Sequence, residues 1–128
     1  MPKLVYDTRF FAEYFYSADN AFLEKAKDLI TKNKDRYVSA LTVHEIYLLS
    51  LKKEGREAAR VRLQVLLDSF RIVDVNAEIA VAAAELRNRR QIPMADGVIV
   101  ATCKSLEARC VTDDPHFTAL KEIKTLWL

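Results

Sequence analysis

Short apolar runs alternate with helical stretches along almost the whole chain, and that alternation limits the folds open to it. Lys3 to Tyr6, Tyr37 to Ser39, Arg71 to Val75 and Arg109 to Thr112 are short, β-branched or aromatic, and flanked by charge; Lys124 to Leu128 supplies a fifth run. Such runs read as buried strands. Between them, Thr8 to Tyr16, Asn20 to Lys32, Thr42 to Glu54, Arg56 to Ser69, Ala77 to Arg90 and Ala95 to Glu107 carry apolar residues at three- and four-residue intervals, the period of a half-buried helix. Strands separated by helices pair in parallel through crossover connections. The expected fold is therefore α/β, a three-layer α/β/α sandwich around a central, mainly parallel sheet of four to five strands.

With 128 residues, 51% of them hydrophobic, residues 1–128 are expected to form one domain with a core large enough to need neither disulfide nor zinc. The two glycines, Gly55 and Gly97, are far apart, which excludes the glycine-rich loops that cradle nucleotide phosphates. Cys103, Cys110, His44 and His116 fit no zinc-binding spacing, and the two thiols are expected to stay unbridged. Twenty Lys and Arg against eighteen Asp and Glu give a net charge of +2, too small to identify a nucleic acid or membrane partner. No apolar run approaches a membrane span and the opening MPKLVYD lacks a signal peptide's apolar stretch, so the expectation is a cytoplasmic protein without a membrane partner.

Open parallel sheets bind ligands beyond the carboxyl ends of their strands, and both candidate ends carry acid. Asp7 follows the first strand, and Asp113 and Asp114 follow the run ending at Thr112. Two further acids fall on apolar helix faces: Glu45, in register with Leu41, Leu48 and Leu49, and Asp96, which shares a face with Ile99, Val100 and Cys103. Each has an ordinary explanation: a helix cap for Asp96, an ion pair with an Arg or with Lys52 for Glu45, and turns for Asp7 and Asp114. Taken together they point to chemistry. Clustered carboxylates repel and raise one another's pKa unless a cation neutralises them. Mg²⁺ or Mn²⁺ suits an all-oxygen site, and such an ion activates water and neutralises charge on the leaving oxygen of a phosphodiester.

Four segments, VYDTRFF, SALTVHEIY, PMADGVIVATC and VTDDPHF, occur in the order and spacing of a PIN domain, and the chain resembles in particular the VapC-type toxins of prokaryotic toxin–antitoxin pairs. The resemblance covers essentially the whole chain. It implies a PIN-like sandwich, metal-dependent endoribonuclease activity, and an acidic pocket of Asp7, Glu45, Asp96 and Asp114. The family pattern T-x-D-x-x-F is matched by Thr112, Asp114 and Phe117, which favours Asp114 over its neighbour Asp113. Thr8, Thr112 and Asp113 become candidates for orienting the acids, as outer partners orient metal ligands. Arg9 departs from the small hydroxyl residue usual at its position and puts a cation beside the pocket. The resemblance also implies a homodimer and a cognate antitoxin that fills the acidic groove.

RNA needs cationic contacts, and two clusters offer them: Lys52, Lys53 and Arg56, with Arg60 and Arg62, and then Arg87, Arg89 and Arg90. The aromatic group Phe10, Phe11, Tyr14, Phe15 and Tyr16 is expected in the core or an interface in preference to base stacking. His44 beside Glu45 makes no zinc protease motif, because Leu48 stands where the second histidine is needed; His116 is read as incidental. The alternatives are a non-toxin PIN nuclease of RNA processing and a PIN module that binds RNA or protein without cutting. A receiver-like signalling domain fits less well, since Tyr6-Asp7 and Asp74-Val75 do not supply its acid arrangement.

Overall fold

In the computed structural model, which describes residues 2–128, strands alternate with helices, several of which start on a side chain that caps them. The elements run β1 (Leu4–Tyr6), α1 (Thr8–Tyr16), α2 (Asn20–Lys32), β2 (Arg36–Ser39), α3 (Ala40–Glu54), α4 (Arg56–Ser69), β3 (Arg71–Val73), α5 (Ala77–Arg89), α6 (Met94–Leu106), β4 (Arg109–Val111), α7 (Pro115–Thr118) and β5 (Thr125–Leu126). Helix starts need acceptors for their free N–H groups. Asp19 accepts from Ala21 and Phe22 N–H (3.0 and 3.2 Å), Ser39 from Leu41 (3.1 Å) and Asn76 from Ile79 (2.9 Å). Gly55 alone joins α3 to α4, at φ +88° and ψ 178°, a region open almost only to glycine.

All four pairings in the sheet are parallel, and the strand order is β3-β2-β1-β4-β5. Val5 lies opposite Tyr37 on one side and Cys110 on the other. Side chains of a strand alternate between faces, and both faces here are covered. Leu4, Tyr6, Val38 and Val111 join Phe10, Phe11, Ala26, Ile46, Leu66 and Phe70 in a core against α1 to α4. Val5, Tyr37 and Cys110 turn the other way, onto Leu86, Ile99, Val100 and Cys103 of α5 and α6. This two-sided burial explains why the strands read as short continuous apolar runs and gives the expected three layers.

The α1 aromatics belong to the core. Phe10 and Phe11 are fully buried, with Tyr6 edge-on to Phe10 at 4.8 Å and Phe70 edge-on to both Tyr6 and Phe11 at 5.1 Å. Burying a ring of this size is worth about 1.5–3 kcal/mol. Close packing on the other face rests on Gly97 of α6, where an added Cβ would stand 3.0 Å from Arg87 Cγ of α5.

Several local expectations change. The third strand stops at Val73, leaving Val75 exposed. Leu48 is 42% exposed and lies outside the buried stripe of α3, which runs through Thr42, Ile46 and Ser50. Pro93 holds the cap position of α6 and Asp96 lies inside its first turn without capping it, so the capping explanation for Asp96 fails. The short α7 was not expected; Asp114 caps it and Pro115 opens it. Cys103 and Cys110 are both buried free thiols.

Candidate active site

The strand order places a topological switch between β1 and β4. From β1 the chain builds β2 and β3 on one side, then crosses to add β4 and β5 on the other. A crevice opens beyond the carboxyl ends of two such strands, and Asp7 and Asp114 stand at those ends.

Asp7 is 6% exposed. Its backbone N–H donates to Val111 O (3.2 Å), and its Oδ2 accepts from Thr112 Oγ1 (2.9 Å), so the end of β4 and the residue after it hold Asp7 at two points. Burial pushes its carboxyl up to about 6; the charges of Asp96 and Asp114 act in the same direction, and the Thr112 bond pulls against them. Glu45, half-buried near the start of α3, accepts from Thr8 Oγ1 at 2.6 Å, with Thr42 Oγ1 a further 3.5 Å contact of Thr8. Its neutral partner is thus Thr8, and neither Lys52 nor an Arg pairs with it.

Asp96 enters from α6, on the opposite layer. Burial raises its carboxyl, and so do the charges of Asp114 and Glu45, while His116 opposes them. Its Oδ2 is buried and has no partner in hydrogen-bond geometry, although His116 Nδ1 stands 3.1 Å away at ion-pair distance. Asp114 N–H donates to Thr112 Oγ1 (3.1 Å), Asp114 Oδ1 accepts from His116 N–H (2.9 Å), and His116 Nδ1 lies 3.3 Å from the same oxygen. The charges of Asp96 and Asp114 act on Asp7, and those of Asp114 and Glu45 act on Asp96; among the described residues the group whose ligand atoms converge within 4.8 Å is Asp96, Asp114 and His116.

Asp113 turns away from this pocket. Its carboxylate takes Arg9 Nε and Nη2 at 2.5 and 3.3 Å and holds the guanidinium at the rim, near Asp114. The basic clusters are partly committed elsewhere. Arg62 pairs with Glu54 (3.4 Å) and lies over the Phe15 ring (4.8 Å), Lys53 lies over Tyr16 (5.3 Å), Arg87 Nε donates to Ile92 O (3.1 Å), and Arg90 pairs with Glu122 (3.2 Å). Lys52, Arg56 and Arg89 are exposed. His116 is the residue that sequence reasoning passed over. The Asp-Pro pair ahead of it, a helix-start signature, was the available signal that its backbone is held next to Asp114.

A carboxylate oxygen buried without a donor among other carboxylates is costly as an anion. Oxygen donors converging in this way fit a hard divalent cation.

The sequence pattern of the PIN domain matches residues 4–123. No curated protein matches the chain. Among solved structures, the DNA-bound VapBC of Salmonella typhimurium aligns with a TM-score of 0.82 at 16% identity, covering 99% of this chain and 98% of that one. VapBC2 of Rickettsia felis, bound to a DNA fragment from its promoter, gives 0.80 at 17% identity, covering 98% of each. VapC20 of Mycobacterium tuberculosis, a toxin that cleaves the sarcin-ricin loop, gives 0.74 at 20% identity, covering 91% and 94%. At these identities the likeness is one of fold.

Proposed function

This chain belongs to the PIN domain family, and from that membership we propose that it is a metal-dependent endoribonuclease, the VapC-type toxin of a toxin–antitoxin pair. The observation that carries the reading is Asp96 Oδ2, buried with no hydrogen bond of good geometry and grouped with Asp114 and His116 within 4.8 Å.

In this reading Asp7, Glu45, Asp96 and Asp114 hold Mg²⁺ or Mn²⁺. The bound ion supplies charge neutralisation and water activation for phosphodiester hydrolysis. Everything else falls to the chain's own side chains. Thr112 fixes the Asp7 carboxylate and Thr8 fixes that of Glu45, so both present set orientations to the cation and do not waver between rotamers. Arg9, held by Asp113 at the rim, meets the phosphate of the RNA strand, and the exposed Lys52, Arg56 and Arg89 extend the cationic path. The same acidic pocket is the surface an antitoxin must cover to silence the enzyme. That two of the structural relatives are VapBC complexes supports such a partner, and a homodimer belongs to the same proposal. An RNA substrate puts the site of action in the cytoplasm; none of the described helices is long and apolar enough to cross a membrane.

The test is cleavage of a panel of structured and single-stranded RNAs with Mg²⁺ or Mn²⁺, run beside EDTA and the Asp96→Asn variant. Cleavage at defined positions that disappears in both controls is the expected result. Folded, antitoxin-free protein that cuts nothing but binds RNA would favour the non-cutting module, and cleavage that persists in Asp96→Asn would overturn the assigned site.

A further inference from the structure

The acidic pocket contains one donor that is not an oxygen. Among the described residues, one ligand atom each from Asp96, Asp114 and His116 lies within 4.8 Å of the other two. His116 Nδ1 is 3.1 Å from Asp96 Oδ2 and 3.3 Å from Asp114 Oδ1. Donor atoms about 2.1 Å from an octahedral ion stand about 3 Å apart when adjacent, so these two separations have the length of octahedron edges. The position of the ring is not accidental. Asp114 Oδ1 caps α7 by accepting His116 N–H at 2.9 Å, which anchors the histidine backbone on one of the two carboxylates its ring faces. The oxygen nearest Nδ1 on the other carboxylate, Asp96 Oδ2, is buried and has no hydrogen bond of good geometry, so His116 Nδ1 at 3.1 Å is the polar neighbour it has.

Resting on the metal-site reading above, we propose that His116 Nδ1 is a direct ligand of the cation held by Asp96 and Asp114, and that this nitrogen shifts the preference of the site from Mg²⁺ toward Mn²⁺ and the later divalent transition ions. Mg²⁺ keeps oxygen ligands and dehydrates reluctantly, so an imidazole adds little to its binding. First-row transition ions gain from an imidazole nitrogen in the order that begins at Mn²⁺ and rises toward Cu²⁺. Ligation through Nδ1 requires the neutral imidazole with its proton on Nε2, and a side chain 56% exposed leaves room for that N–H to meet water.

The experiment titrates the metal-free full chain with Mn²⁺, follows free Mn²⁺ by electron paramagnetic resonance, and obtains Mg²⁺ affinity by competition. Pulsed resonance of the bound Mn²⁺ then reports any directly coordinated ¹⁴N. The chain has two histidines, His44 and His116, so the nitrogen signal is assigned with His116→Ala, and His44→Ala is the matching control. The expected result is one imidazole coupling in the wild type and in His44→Ala but none in His116→Ala. His116→Ala should also lose about tenfold or more in Mn²⁺ affinity, at least what loss of an outer partner costs, with Mg²⁺ affinity changed far less. Mn²⁺ that binds in an Asp96-dependent way with no nitrogen coupling, or with an unchanged Mn²⁺ to Mg²⁺ ratio in His116→Ala, overturns the histidine ligand and leaves the acidic site standing. Mn²⁺ binding indifferent to Asp96→Asn, or no binding at all, overturns the site reading and this inference with it.

Discussion

Thr112 Oγ1 donates a 2.9 Å hydrogen bond to the carboxylate of Asp7, joining residues 105 positions apart. The same oxygen accepts from Asp114 N–H, so one buried hydroxyl ties the ends of β1 and β4 together at the switch point. Thr112→Val keeps the shape and removes both bonds. Leaving the partners unpaired should cost about 1–3 kcal/mol, read from denaturant unfolding of the metal-free protein. Because the Thr112 bond holds the Asp7 carboxyl down, its loss should also move the Asp7 titration of the metal-free protein to higher pH. Thr112→Ser should restore both properties; a titration unmoved in Thr112→Val would detach the hydroxyl from the Asp7 charge.

The raised carboxyl of Asp7 has a consequence for stability in the absence of metal. Folding lifts it from 3.8 to about 6, so between those values the native state holds a proton that the unfolded chain has released. Stability therefore falls as pH rises through that window. A shift of this size corresponds to roughly 3 kcal/mol, present below pH 4 and lost above pH 6. Asp7→Asn removes the titration. In EDTA at pH 8 the variant should melt higher than the wild type, and the gap should close as the pH falls toward 4. A variant that melts lower at pH 8 would mean that the Asp7 carboxylate is stabilised by contacts outweighing its burial.

Much of this arrangement was legible in the chain because it rests on periodicity. Val5 between Leu4 and Tyr6 reads as a doubly buried strand, and Phe10, Phe11 and Tyr14 read as a helix face. The four acids stand out for a different reason, Asp7 and Asp114 by following strand-like runs and Glu45 and Asp96 by their spacing among apolar residues. What escaped is what depends on contacts between elements. Helix α7 spans only four residues, too few for a helical period to register. The pairing of Asp113 with Arg9 joins residues 104 apart and carries no local signal. His116 has the sequence setting of any loop histidine, and only the Asp114 cap on its backbone N–H sets it beside the acids. Leu48 had the spacing of a core residue but points to solvent, because α3 is covered along the line of Thr42, Ile46 and Ser50.

Gly55 offers a prediction confined to stability. It is the single residue between α3 and α4, held at φ +88°, and an added Cβ would meet nothing within 4 Å. Any cost of Gly55→Ala is then purely conformational, about 1–3 kcal/mol for this part of the backbone map. Unfolding should reveal that loss, while Mn²⁺ affinity stays at the wild-type value. A neutral Gly55→Ala would mean that the turn relaxes to a conformation open to alanine.

Arg9 offers a prediction confined to substrate. Asp113 occupies its Nε and Nη2, which leaves Nη1 free to meet a phosphate. If that is its partner, Arg9→Ala weakens RNA binding and removes one ion pair's worth of salt dependence, lowering the slope of log K against log salt by about 0.7 for a single strand. Asp113→Asn frees the guanidinium and should weaken binding less, by loosening Arg9 without removing its charge. Both effects are best read in an Asp96→Asn background, where the RNA stays intact. Parallel salt dependences for Arg9→Ala and its parent would show that the arginine serves only to neutralise Asp113, and the cationic path would then have to run through Lys52, Arg56 and Arg89 alone.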